Sequence, residues 1–254
     1  MGVELISVGS QAPWYTKVSP PVTRGLEGWF CFDTDISRIG LNRAPGKPDA
    51  TIVGSPTVFS SYARFTGLSH YLNTGINETA DMTILVVGKA ANAIPAGAAA
   101  TGDATTPMYC GTFFGPGTIV DGYPSTTGIG LHHNAPAVQV LTAGRSSGAG
   151  LTTSAQAQIA ADVPTAWGLR VGRTGKDTLN FTENLTTNKS QANPTSTIRV
   201  PSNKTLRIGG GYMNFAAQVD ISQIVIYSVA LTDGEINQIA TLMRKRAARL
   251  GISV

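Results

Sequence analysis

The chain has 254 residues, of which 13% are charged, with 29 glycines and 14 prolines. That length suits one large β-sandwich with arms better than two small domains, and the turn-rich composition points to an all-β fold. The net charge of +4 is concentrated in one cluster, Arg244, Lys245, Arg246 and Arg249, so the rest is near neutral and carries no footprint of a nucleic-acid binder.

Residues 1–24 read as an extended arm. Pro13, Pro20 and Pro21 punctuate it, and Trp14 and Tyr15 stand isolated among polar neighbours. Such a segment builds no core of its own, so Pro13, Trp14 and Tyr15 are expected to anchor it, either on its own sandwich or on a neighbouring subunit. No basic stretch followed by an apolar run begins the chain, so no secretory signal is expected. No run approaches the roughly 20 apolar residues of a membrane span, and no membrane insertion is expected.

Residues 25–231 read as the sandwich. GLEGWFCFD is a strand with Trp29 and Cys31 on one side and Phe30 and Phe32 on the other, and Cys31 reads as a buried small hydrophobe rather than a bridge partner of Cys110. A polar Pro/Gly/Asn loop follows and returns to a short strand near Thr57. YARFTGLSHYLNTG alternates polar and apolar residues through Phe65, Tyr71 and Leu72, with Gly67 as a turn. MTILVVGKA reads as a central strand buried on both faces. Residues 90–107 read as a surface loop. MYCGTFFG, GTIVDGY, GIGLHHN and AVQVLTAG are short strands between glycine turns, RSSGAGLTTSAQAQIAADVPT is a polar loop, and Trp167, Leu169 and Val171 alternate on a further strand that returns through Leu179 and Phe181. In QVDISQIVIYS, strict alternation sets Val219, Ile221, Gln223, Val225 and Tyr227 against Asp220, Ser222, Ile224, Ile226 and Ser228. Residues 232–254 form a terminal helix and tail. Thr232 and Glu235 have capping-box spacing, and Ile236, Ile239, Met243, Ala247 and Leu250 make an apolar stripe.

One run carries a family resemblance: Arg207, Ile208, Gly209, Gly210 and Gly211, followed by Ile226, Tyr227, Ala230, Leu231, Thr232, Asp233, Glu235 and Ile236. It resembles the closing segment of concanavalin A-like, laminin G-like jelly rolls. The aromatic strand ending at Phe32–Asp33 and the hairpin through Gly67 and Gly75 are similar to earlier parts of that family. The resemblance implies an all-β, two-sheet antiparallel jelly-roll sandwich with an extended N-terminal arm and a C-terminal helix. It fixes a fold better than an activity, because lectins, glycosidases, adhesion modules and virus-particle proteins share it.

The chemistry sought on this scaffold is mostly missing. Glycoside hydrolysis needs two carboxylates about 5 to 9.5 Å apart; the chain has five glutamates, and only Asp33 and Asp35 stand at strand i, i+2 spacing. His132 and His133 are adjacent and face opposite ways on a strand. No nucleophile elbow and no zinc spacing occurs. No catalytic residue is assigned, and the chain is read as a non-enzyme. Asp33, Asp35, Asn42 and Asp49 supply hard oxygens suited to calcium, as laminin G-like relatives use, and are equally at home as turn formers. His70, Tyr71, Tyr123 and Tyr212 are aromatics near turns, on which sugars stack, and are the candidate glycan-binding residues. The basic cluster on the helix complements its dipole.

The leading expectation is a bacteriophage particle subunit (fibre, baseplate or decoration protein) assembled in the host cytoplasm as a homo-oligomer with other virion proteins and contacting host-surface glycan. A free carbohydrate-binding lectin module is the first alternative and an atypical glycoside hydrolase the second.

Overall fold

Along β1 (Leu26–Cys31) Trp29 and Cys31 face one apolar layer, while Phe30 and, just beyond the strand, Phe32 face another. Two apolar layers therefore exist, and this alternation places β1 between them. The computed structural model describes residues 17–98, 102–115, 123–134, 136–176 and 179–254; Pro13, Trp14, Tyr15 and most of the expected GTIVDGY strand lie outside these.

Two antiparallel sheets make the sandwich. The first runs in the order β13 (Lys189–Pro194), β12 (Leu179–Asn184), β11 (Gly168–Thr174), β6 (Met82–Ala90), β15 (Gln218–Tyr227), β4 (Ala63–Thr66) and β3 (Thr57–Val58), with β1 also pairing with β15. The second runs β10 (Leu151–Ala160), β9 (Val138–Gly148), β8 (Ile129–Asn134), β7 (Met108–Gly111), β14 (Thr205–Ile208), β5 (Tyr71–Asn77) and β2 (Thr51–Val53). The layer between the sheets holds Phe32, Phe65, Leu72, Ile84, Val86, Leu131, Leu141 and Ile208, among others. On the outer face of the first sheet, Trp29, Leu85, Val87, Leu169 and Tyr227 pack under the helix α1 (Asp233–Arg249). The expected double burial of MTILVVGKA follows, because β6 has the second sheet on one side and α1's layer on the other.

The helix forms as its sequence dictates. Thr232 accepts from the Glu235 backbone N–H and the Glu235 carboxylate reaches back to the Thr232 N–H, completing the capping box. Arg24 clamps the same carboxylate at 2.6 Å through two nitrogens. Ile236, Ile239, Ala240, Met243 and Ala247 form the buried stripe, and each large apolar side chain so buried contributes about 1.5–3 kcal/mol. Replacing Thr232 by alanine removes the cap, and the expected loss of about 1 kcal/mol is read as a lower urea midpoint at unchanged slope.

Four local expectations are corrected. The alternation of β15 breaks at Ser222, where a bulge lies between the pairs Ile221↔Gly88 and Gln223↔Val87. Beyond it Ile224 and Ile226 join Val219 and Ile221 between the sheets, while Val225 and Tyr227 turn to the helix. One inserted residue reverses every later side chain. YARFTGLSHYLNTG is no paired hairpin: β4 belongs to the first sheet and β5 to the second, and only a Thr66↔His70 bridge joins them. The polar stretch after AVQVLTAG is a long β9–β10 hairpin, whose small and hydroxylated side chains sit at the sheet edge, where little apolar patterning is needed. β13, exposed along nearly its whole length, was hidden for the same reason.

Candidate functional site

The pairing of β14 with β5 puts Arg207 opposite Asn73 and Ile208 opposite Leu72. Ile208 and Leu72 point between the sheets, so by the two-residue period Arg207, Thr205, Tyr71 and Asn73 stand on the outer face of the second sheet. After β14 the chain turns through Gly209, whose φ of +85° and closeness to Phe65 leave no room for a side chain. That turn brings Tyr212 back over Arg207. The Arg207 guanidinium then lies 4.1 Å from the Tyr71 ring centre and 3.5 Å from that of Tyr212. Its Nη1 donates to the Gly211 carbonyl at 2.9 Å, and the Tyr212 hydroxyl donates to the Thr205 carbonyl at 3.0 Å. Thr205 also donates to Asn73 Oδ1 at 2.7 Å, and the Lys204 ammonium stands 5.7 Å from the Tyr212 ring.

This is a rigid polar stack. Each cation–ring contact contributes about 0.5–1 kcal/mol where partly exposed, and the guanidinium is held in one orientation. Arg207 Nε is buried and has no hydrogen-bond partner among the described residues.

Of the four aromatics singled out in the sequence, Tyr71 and Tyr212 are thus brought together. His70 is next to Tyr71 in the chain but serves the neighbouring turn, its Nδ1 accepting from the Ser55 N–H at 2.9 Å. Tyr123 shares a hydrogen bond with Ser146 near the end of β9. Arg207, the centre of the stack, was legible only as part of a fold motif; the signal that could have found it is its place two residues after Thr205 on an outward strand face, five before a tyrosine across a triple-glycine turn.

A second aromatic group lies at the β3–β4 edge of the first sheet. Phe59 stacks on Tyr62 at 4.5 Å, and Tyr62 meets Trp167 edge-on at 5.4 Å. Arg64 and Lys89 cover Phe59 and Trp167, and both reach the buried Asp220 carboxylate, at 2.7 and 3.9 Å. Trp167, expected to share a strand with Leu169 and Val171, precedes β11 and is only partly buried.

The oxygens proposed for calcium are each engaged by the protein. Asp33 pairs with Arg246. Asp35 caps a single 3-10 turn, Ile36–Arg38, accepting from the Ser37 N–H at 2.7 Å. The fully buried Asn42 ties the loop, its Oδ1 accepting from Trp29 and Ala44 N–H groups and its Nδ2 donating to Glu27 and Pro48 carbonyls. Asp49 accepts from the Asn42 N–H at 2.9 Å. Among the described residues no three His, Cys, Asp or Glu side chains gather at metal-binding spacing.

Asp162 and Glu78 sit in buried networks. Asp162 accepts from His133 Nε2 at 2.7 Å, Arg170 Nε at 3.2 Å and Asn184 at 2.5 Å, and Tyr109 completes the chain through His133 Nδ1 at 2.9 Å. Burial alone would raise the Asp162 pKa, but His133, Arg170 and Asn184 hold it down to about 2. Glu78 pairs with Arg199 and accepts from Thr112. Arg145, fully buried, donates to the Thr197, Gly175 and Leu179 carbonyls and to Asn180 Oδ1. These groups lie within the packed protein.

No protein-family model and no curated protein sequence matches the chain. Solved structures do. Trypanosoma rangeli sialidase aligns over 90% of this chain at 15% identity with a TM-score of 0.55, and the same enzyme with sialic acid bound at 14% identity and 0.53. A single-substitution mutant of HCR/D aligns over 87% of this chain at 9% identity and 0.56. This chain spans 36% of the sialidase chain and 53% of the HCR/D chain. The expectation of a bacteriophage particle subunit is thereby corrected: the architecture is shared with sialidases and HCR/D, and nothing in the comparisons points to a virion. The likeness, at these identities, is one of fold, and the chain is an all-β jelly-roll sandwich of two antiparallel sheets closed on one face by a C-terminal helix.

Proposed function

We propose that the chain is a glycan-binding sandwich whose contact is the Tyr71–Arg207–Tyr212 stack. The observation that carries this reading is the guanidinium clamped between two tyrosine rings on an outward sheet face. Asn73, Thr205 and Lys204 surround it with further polar groups. The laminin G-like resemblance of the run from Arg207 to Ile236 supports it, as does the fold shared with a protein whose structure holds sialic acid. The reading is non-catalytic: Asp33, Asp35, Glu78, Asp162 and Asp220 are all tied to partners within the chain. Glycoside hydrolysis is the second reading, favoured by the sialidase likeness over 90% of this chain.

A glycan array separates them. The full chain is expected to show saturable binding to a defined set of sugars, weakened at least tenfold by Tyr212→Ala and by Arg207→Lys, which keeps the charge but loses the planar stack, and to release no sugar from the glycans it binds. Binding that survives both substitutions removes the stack from the reading; steady product release replaces it with the hydrolase.

A further inference from the structure

Between α1 and the segment at residues 17–22 lies a groove of about 620 Å³, in the size range of small-molecule sites. Its floor includes Trp29, and Lys17, Arg43, Arg246 and Arg249 line it. The segment is held along the groove by the Val18 N–H donating to the Arg43 carbonyl at 2.9 Å and Lys17 Nζ donating to the Asn42 carbonyl at 2.7 Å.

Two features mark the groove as built for an occupant. The first is charge. Arg246 is paired with Asp33, whereas the guanidinium of the half-buried Arg43 has no hydrogen-bond or ion-pair partner among the described residues, and Arg249 stands exposed at the helix end. A partly buried cation is stabilised by an anion that pairs with it. The second is Gln223. It is fully buried, its Nε2 donates to the Met243 carbonyl at 2.7 Å, and this leaves its Oε1 without a hydrogen-bond partner. An unpartnered acceptor and two arginines lining one groove suit a ligand that brings both a negative charge and a hydroxyl donor. Helix-dipole compensation explains Arg244, which donates to the Val254 and Leu185 carbonyls; it does not explain Arg43, which lies off the helix.

We propose that this groove binds an acidic saccharide, its carboxylate taken by Arg43 and Arg249 and one hydroxyl donating to Gln223 Oε1 over the Trp29 floor. The groove is on the helix-covered face of the first sheet and the tyrosine–arginine stack is on the second sheet, so either inference stands if the other fails.

The test is titration of the full chain with D-glucuronate, D-glucose and inorganic sulfate, followed by calorimetry or ligand-observed NMR. D-glucuronate is expected to saturate a single site and D-glucose, which differs by lacking the carboxylate, to bind at least tenfold more weakly. Arg43→Gln is expected to weaken D-glucuronate at least tenfold, as is the exposed Arg249→Gln if the first variant folds poorly, whereas Lys245→Gln, on the same helix outside the groove, leaves it unchanged. Absence of D-glucuronate binding overturns the proposal. So does sulfate binding as tightly as D-glucuronate, which would mark a bare anion site, or an equal loss in Lys245→Gln, which would mark diffuse charge attraction.

Discussion

Replacing Arg199 by methionine is expected to destabilise the protein by about 3–5 kcal/mol and lower its thermal midpoint by about 10 °C. Arg199 lies on the stretch that carries the chain from β13 in the first sheet to β14 in the second, and it is 1% exposed. Its Nη1 donates to the Gly144 and Val200 carbonyls at 2.7 and 3.0 Å, and its Nη2 pairs with Glu78, just past β5. Burial draws the guanidinium down to about 9, so it stays charged at neutral pH. Without it, the Glu78 carboxylate is left in the interior with Thr112 as its remaining partner. The cost is therefore mainly that of an orphaned charge, and a companion Glu78→Leu substitution should recover most of the loss although it removes a second native group. Urea denaturation of the single and double variants decides it: a double variant no more stable than the single, or a single-variant loss below about 1 kcal/mol, is incompatible with this account.

Acid is expected to weaken the fold well above the range in which carboxylates titrate. Burial pushes His132 down to about 3 and His133 down to about 4, from an ordinary value of 6.5. His132 packs on Phe215 and bonds Thr142, while His133 faces Asp162, Tyr109 and the Arg170 cation. Because the folded values lie below the unfolded one, the unfolded chain takes up protons first. The stabilisation is complete above pH 6.5 and is lost as pH falls toward 4 for His133 and 3 for His132. Each histidine costs about 1.4 kcal/mol per pH unit in that interval, so between pH 7.5 and 5 the pair removes about 4 kcal/mol. Asp162, held at about 2, adds its own loss only below its ordinary 3.8. Urea midpoints at pH 7.5, 6 and 5 should fall steadily, and His132→Leu should halve the slope. A flat profile over that range would mean that the imidazoles are not buried neutral.

Some of this architecture is legible in the residues alone. The alternation of Trp29 and Cys31 with Phe30 and Phe32, the unbroken apolar run of β6, the Thr232–Glu235 box and the helical stripe each depend on nearest neighbours and on burial, so local pattern determines them. The tyrosine–arginine stack was half legible: Tyr71 and Tyr212 could be picked out as aromatics near turns, but their joint hold on Arg207 needs two strands and a turn in register. His70 and Tyr123 met the same criterion and went to other work, because a residue type near a turn does not say which way the ring points.

What the sequence by itself determined, then, is the class of fold: a low-charge, glycine-punctuated chain of short apolar alternations closed by one capped helix, a pattern that two packed antiparallel sheets satisfy. What only the tertiary structure decided is where that pattern is broken and what the breaks are for. The bulge at Ser222 turns one strand's second half over, and Arg145, Arg170 and Arg199 lie inside although charged side chains ordinarily read as surface. The physical reason is that a buried charge or an inserted residue is tolerable only when distant carbonyls, carboxylates and strands converge on it, and no local stretch of sequence contains those partners.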